Sequence, residues 1–221
     1  MDERQWGAVD AYFTRTIVWQ DGVLESALAA NAAAGLPQID VSPPHGKLLH
    51  LLAHIAGARK ALEIGALGGY STIWLARALP DDGKLVTLEL NERHAAVARE
   101  NVARAGLAGK VEVRTGAALA LLPKIEAEGL APFDFVFIDA DKTNNPEYIA
   151  WALRLARPGT AIVVDNVVRD GALVDAASAD PDVIGTRRMF EAMAREPGLS
   201  ATAIQTVGAK GWDGFALAIV K

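Results

Sequence analysis

The stretch ALEIGALGGYSTIWLA, residues 61–76, decides how this sequence folds. It opens as a short apolar run, Ala61, Leu62 and Ile64, interrupted only by Glu63. It turns glycine-rich at Gly65, Gly68 and Gly69, and from Ser71 it continues with helical spacing. These features specify a strand, a tight turn and the start of a helix. Glycine lets the backbone approach a ligand closely, and the unpaired N–H groups of a helix start attract an anion such as a carboxylate or phosphate. The spacing is Glu63-x-Gly65-x-x-Gly68-Gly69, so the first glycine pair of the dinucleotide fingerprint G-x-G-x-x-G is missing. A carboxylate entering the turn repels a pyrophosphate and suits a cationic or hydroxyl-rich ligand.

Outward from this stretch, apolar strands alternate with helical patterns. Upstream, Trp6, Val9, Phe13 and Ile17 recur at helical spacing over 4–18, and an alanine-rich helix over 22–34 stops at Gly35-Leu36-Pro37. These helices precede the first strand, so residues 1–36 are a helical addition, either a lid on the core or a subunit contact. Ser42 caps a helix that begins at Pro43-Pro44 and runs to about Gly57. His50 and His54 lie i,i+4 on it, but without Cys or an acid on the same face they read as helix-surface residues rather than metal ligands. Downstream, strands are expected at 84–90, 110–114, 133–138 and 160–164, with helices over 92–105, from 117 to about 128, and 146–156, the last stopped by Arg157-Pro158-Gly159. An irregular segment at 167–180, a helix at 182–195 and two strands at 200–207 and 213–220 complete the chain. The central strands are solid apolar runs, as in a parallel sheet covered on both faces. The closing hairpin makes one edge antiparallel.

The bulk composition narrows the class. At 221 residues the chain is read as one domain, residues 1–221, with a large core. It is 51% hydrophobic and 22% charged with a net charge of −5, which gives no electrostatic footprint for nucleic acid or an acidic membrane. It has no cysteine, which excludes disulfides and thiolate metal sites. The acidic N-terminus MDERQWGAVD does not read as a secretory leader, no run approaches a membrane span, and a cytoplasmic location is expected.

In an open parallel sheet ligands sit beyond the carboxyl ends of the strands. Every polar candidate falls at such an end: Gly65, Glu89, Gly116, Asp139 and Asp165. Glu89 is placed to accept both hydroxyls of a ribose, a signal that nicotinamide enzymes share. Asp139, Asp165 and Asn166 end adjacent central strands and offer hard oxygen ligands for Mg²⁺, Mn²⁺ or Ca²⁺; alternatively Asp165-Asn166 caps the next turn. Lys142 stands at a helix N-terminus, where a cation is electrostatically misplaced. It is either a base beside an anion-binding site or the partner of Asp141. Residues 167–180, the N-terminal helices and the Lys210-Gly211-Trp212 loop are expected to shape the rest of the pocket, with Trp212 either stacking on an aromatic ligand or lying on the surface.

Three motifs in order, Glu63-Ile64-Gly65-Ala66-Leu67-Gly68-Gly69-Tyr70-Ser71, Asp139-Ala140-Asp141-Lys142 and Val164-Asp165-Asn166-Val167, resemble the cation-dependent class I S-adenosylmethionine O-methyltransferases of the caffeoyl-CoA and catechol type, small bacterial members above all. The likeness runs from about Val41 to Lys221. It implies a Rossmann-like sandwich with a mostly parallel seven-stranded sheet, S-adenosylmethionine and a divalent cation as cofactors, a catechol-like or phenolic acceptor, and a homodimer. On this resemblance Val41 and Ser42 contact the methionine portion through backbone, and Gly65 and Ser71 hold its amino and carboxylate ends, within a turn that includes Glu63 and Leu67. Glu89 takes the ribose, and Leu90, Gly116, Ala117 and Ala118 surround the adenosine. Asp139, which also borders the cofactor, binds the cation with Asp165 and Asn166, and Lys142 is the general base. Ala118 and Asn145 depart from relatives that carry a hydroxyl and a tyrosine there. Three alternatives are a metal-independent methyltransferase, a nicotinamide-dependent oxidoreductase and a non-catalytic cofactor-binding module.

Overall fold

The computed structural model describes residues 3–221; Met1 and Asp2, part of the stretch read above as lacking a leader, lie outside the described residues. Helix α1 (Glu3–Phe13), a π-helical turn (Thr14–Val18), α2 (Gly22–Ala33) and α3 (Pro43–Ile55) precede the sheet. The helical stretch expected over 4–18 is continuous but changes from α to π winding at Thr14, where the Thr14 and Thr16 hydroxyls donate to the carbonyls four residues back, Asp10 and Tyr12, each at 2.8 Å. Asp21 and Ser42 cap α2 and α3.

The strands are β1 (Lys60–Ile64), β2 (Lys84–Glu89), β3 (Val111–Thr115), β4 (Phe133–Ile138), β5 (Ala156–Asp165), β6 (Leu199–Gly208) and β7 (Gly211–Val220), in the order β3-β2-β1-β4-β5-β7-β6. Only β7 runs against its neighbours, pairing antiparallel to both β5 and β6. Helices α4 (Tyr70–Ala78), α5 (Glu92–Arg104), α6 (Ala118–Ala127), α7 (Asn145–Arg154) and α8 (Pro181–Arg195) connect or flank them. This is the mostly parallel seven-stranded sandwich the sequence led us to expect.

Successive side chains of β4 point to opposite faces. Phe135 and Phe137 join Leu49, Ile73, Leu75 and Val163 on one side, and Val136 and Ile138 join Leu62, Leu122, Ile149 and Val164 on the other. Both faces are covered, so the central strands are mostly apolar, with Glu63, Thr87 and Asp134 as buried polar exceptions. The strand order reverses between β1 and β4, the switch point beside which ligands bind in such sheets. No described helix is long and apolar enough to cross a membrane.

Three boundaries differ from expectation. Helix α7 ends at Arg154, and Arg157-Pro158-Gly159 lies inside β5 rather than after a helix; Asp134 pairs with the Arg157 guanidinium at 2.6 Å, and the Arg157 N–H donates to Thr160 Oγ1. A residue before proline favours extended backbone, which explains the early strand. The irregular segment contains a short 3₁₀ turn at Ala172–Val174. Finally, β6 and β7 are joined by Ala209-Lys210 alone, with Gly208 paired to Gly211, so Trp212 is a strand residue opposite Val207 and not part of the loop.

Candidate active site

A cavity of about 1110 Å³ opens at the carboxyl ends of the parallel strands. Its floor is the turn after β1. Gly65 has φ +100, and a Cβ there would collide with the Asp139 carbonyl, so only glycine lets the turn after β1 pass this close to the end of β4. Gly69, with φ +85, starts α4, whose first N–H groups face the cavity end of the sheet. Leu67, with φ 47, donates its N–H to Glu89 Oε2 at 2.8 Å, and the Asn91 N–H donates to Oε1 at 2.9 Å. Oε2 keeps a lone pair for a ligand hydroxyl, while Oε1 also faces His94 Nδ1 at 3.5 Å.

Val41, Ser42, Gly65, Leu67, Ser71, Glu89, Leu90, Gly116, Ala117, Ala118, Asp139, Lys142, Asp165 and Asn166 all line this one cavity. They come from six loops between residue 41 and residue 166, and the topology alone brings them together.

Glu63 is the exception. Its carboxylate does not enter the turn. It is fully buried under it, accepting from Ser71 Oγ at 2.6 Å, Thr72 Oγ1 at 2.5 Å and Thr87 Oγ1 at 2.6 Å. Along a strand the side chains alternate, and Glu63 falls on the face covered by α4. It therefore orients the Ser71 hydroxyl from below rather than meeting a ligand. Burial pushes its pKa up to about 7, against the lowering effect of the three hydroxyls. The folded protein then holds this proton more tightly than the unfolded chain. Stability is fully present below about pH 4.5 and is lost as the pH rises through about 7. Urea midpoints at pH 5 and pH 7.5 should show this decline, and Glu63→Gln should flatten it; parallel pH profiles for the two proteins would remove the assignment.

Asp139, Asp165, Asn166 and Lys142 form the second cluster. Lys142 is buried, and its Nζ lies 2.8 Å from Asp139 Oδ1, so its partner is Asp139 and not Asp141. Asp141 instead accepts from Asn144 Nδ2 and the Tyr148 hydroxyl. Asp165 accepts the Asn166 N–H at 2.8 Å and faces His45 Nδ1 at 3.6 Å. Burial, with Asp139 nearby, raises the Asp165 pKa to about 6. Two neighbouring carboxylates held in a buried pocket with an amide oxygen form an oxygen-only donor set that fits a hard divalent cation. No group of three or more His, Cys, Asp or Glu side chains that could hold a metal ion occurs among the described residues.

Other lining residues carried no local signal. Asp10 and Phe13 of α1, Gln38 to Asp40, His45, Tyr148, Arg169, Asp182 and Thr206 to Gly208 all reach the cavity. Asp10 Oδ2 accepts the Ala209 N–H at 2.8 Å, which fastens α1 to the hairpin tip. Of the expected acceptor-pocket segments, α1, Lys210 and Gly211 contribute, while α2, residues 172–180 and Trp212 do not. Trp212 packs on Gly171 and donates to Gln205 Oε1 at 3.1 Å. Asn145 is buried outside the cavity with both amide atoms unpartnered among the described residues. His50 donates to or accepts nothing from a metal-like cluster; its Nδ1 lies 3.1 Å from the Trp74 carbonyl.

Comparison with known proteins settles the family. The model of the O-methyltransferase family matches residues 17–219, which includes every strand and all the cavity loops from residue 38 on. The chain belongs to the O-methyltransferase family. A catechol O-methyltransferase of Niastella koreensis is 50% identical over 221 residues, covering 100% of both chains. A catechol O-methyltransferase of Mycobacterium tuberculosis is 56% identical, covering 96% of this chain and 95% of its own. The crystal structure of an O-methyltransferase from Bacillus cereus in complex with SAH is 58% identical, covers 100% of both chains and superposes with a TM-score of 0.98. The sheet order, the β1 turn and the strand-end acids of this O-methyltransferase thus belong to an enzyme scaffold.

Proposed function

We propose that this O-methyltransferase moves a methyl group from S-adenosylmethionine to a hydroxyl of a catechol-like aromatic, aided by a divalent cation, Mg²⁺ first among candidates. The observation that carries the reading is that the oxygen donors Asp139, Asp165 and Asn166 and the amine of Lys142 share one cavity with Gly65, Ser71 and Glu89. The printed names of the two catechol O-methyltransferase relatives and of the SAH complex support it.

Val41 and Ser42 contact the methionine portion of the donor through backbone. Ser71 gives its hydroxyl proton to Glu63 Oε1, so its oxygen is left to accept from the donor's amino group, while the N–H groups opening α4 suit the carboxylate. Glu89 takes the ribose hydroxyls, and Leu90, Gly116, Ala117 and Ala118 enclose the adenine side. A bound divalent cation supplies Lewis acidity that lowers the pKa of a coordinated phenol. Asp139, Asp165 and Asn166 would hold that cation at the end of the cavity they share with Lys142. Lys142, once its Nζ has given up its own proton and is neutral, would take the hydroxyl proton. The sulfur–methyl bond breaks as the oxygen–methyl bond forms, an in-line displacement in which positioning alone lowers the barrier by several kcal/mol.

Residues 1–221 act as one methyltransferase domain, and the working unit is a homodimer. Exposed apolar side chains on the N-terminal addition support the latter: Tyr12 is 57%, Ile17 68% and Trp19 80% exposed. Purified protein given S-adenosylmethionine, Mg²⁺ and a panel of catechols should form methylated product, and EDTA should abolish this until Mg²⁺ or Mn²⁺ is restored. No product from any catechol would overturn the activity, and product insensitive to EDTA would leave a metal-independent methyltransferase.

A further inference from the structure

Three cationic side chains line the cavity: Lys142, Arg169 and Lys210. Lys142 is paired with Asp139 at 2.8 Å, and Lys210 Nζ donates to the Gln38 carbonyl at 3.0 Å. Arg169 is different. Its nearest acid oxygen is Asp182 Oδ2, 3.5 Å from Nη2, and Asp182 also accepts from Thr143 Oγ1 on its other oxygen. The other guanidinium N–H groups have no partner among the described residues. The acids around it are already engaged: Asp213 Oδ1 accepts the N–H groups of Val168, Arg169 and Gly214, and Asp141 accepts from Asn144 and Tyr148.

The backbone holds this side chain in place at a conformational cost. Asn166, Arg169 and Asp170 have φ of 56, 57 and 52, left-handed conformations unusual for side-chain-bearing residues. The start of β7 fixes them: Asp213 binds the Val168 and Arg169 N–H groups, the Trp212 carbonyl accepts from Asp170, and the Trp212 ring lies where a Cβ on Gly171 would go. A strained loop over-determined by its neighbours and carrying an under-partnered guanidinium into a ligand cavity is the signature of a recognition group.

We propose that Arg169 is an anion subsite for the acceptor, so that the preferred substrate is a catechol bearing a carboxylate on the ring or on a short arm. This rests on the catechol methylation proposed above. Arg169 follows the donor residue Asn166 by three positions, so their Cα atoms are within roughly 10 Å of each other. Both residues line the same cavity, so a ring seated beside Asn166 would lie within the span of the Arg169 side chain. The planar fork of a guanidinium matches a carboxylate in a two-bond pairing, which neither lysine nor an amide reproduces. The carboxylate is a spectator, and its bonds do not change during transfer.

The test compares 3,4-dihydroxybenzoate, catechol and dopamine as acceptors for the wild-type protein, Arg169→Asn and Arg169→Lys. Asparagine tolerates left-handed backbone, so the loop is preserved. The ratio of kcat/KM for 3,4-dihydroxybenzoate over catechol should fall at least tenfold in Arg169→Asn, less in Arg169→Lys, and Arg169→Glu should turn the preference toward dopamine. A ratio that moves less than threefold in Arg169→Asn and in Arg169→Lys would overturn the subsite. Calorimetric binding of 3,4-dihydroxybenzoate in the presence of the donor separates the two claims. If no catechol is methylated yet its affinity still drops tenfold in Arg169→Asn, the subsite stands and the activity reading falls; if affinity is also unchanged, both fall.

Discussion

Replacing Lys142 with methionine is expected to lower turnover by about 10²–10⁴-fold, the usual contribution of a positioned proton acceptor, while donor affinity changes far less. The side chain is only 6% exposed and lines the cavity beside Asp139. Methionine keeps the length and apolar contacts of the lysine stem and removes only the amine. The local backbone does not depend on the amine, because α8 packs against it: a Cβ on Gly185 would collide with the Lys142 carbonyl. Asp139 loses its partner, but its side chain is 22% exposed, so the freed charge remains partly solvated. Single-turnover rates, donor calorimetry and a melting curve measured together separate chemistry from folding. Turnover within a few-fold of wild type would make Lys142 a structural counter-ion of Asp139.

Asp165→Ala is expected to reduce turnover a hundredfold or more and to abolish the response to added Mg²⁺, with donor binding retained. Its effect on stability should have the opposite sign. Asp165 is 6% exposed and lies beside a second carboxylate, so in the absence of a cation it is a buried charge whose desolvation the protein must offset. Alanine removes that cost and sacrifices the Asn166 N–H contact and the 3.6 Å approach of His45 Nδ1. The metal-free variant should therefore melt at or above the wild-type temperature, and added Mg²⁺ should raise the melting point of the wild-type protein alone. A variant that is still active, together with wild-type activity indifferent to EDTA, would dissolve the cation site.

Much of this was written in short-range pattern. The β1 turn announces itself through Gly65 and Gly69, because left-handed backbone and close approach leave few other residues. Glu89, Asp139 and Asp165 could be placed at strand ends because each closes an apolar run. Their convergence needed only the general rule for parallel sheets. Where the pattern misled, the cause was equally specific. Trp212 was given to a loop because the glycines at 208 and 211 read as one long turn. In the structure they bracket a two-residue connection and pair with each other. Arg157-Pro158-Gly159 looked like a helix stop and is instead the irregular start of β5.

What the sequence determined by itself is the alternation of strands and helices, the glycine turn and the polar residue at each strand end, because these depend on periodicity and backbone preference within a few residues. What only the tertiary structure decided is where the side chains point once the layers pack. Glu63 is one residue from a cavity-lining position yet is aimed at Ser71, Thr72 and Thr87, because side chains alternate along a strand and α4 covers its face. Asp10 and Phe13 reach the site from a helix far away in sequence, and Arg169 is fixed there by Asp213, 44 residues further on. Contacts across such separations follow from how the elements pack, and no local pattern records them.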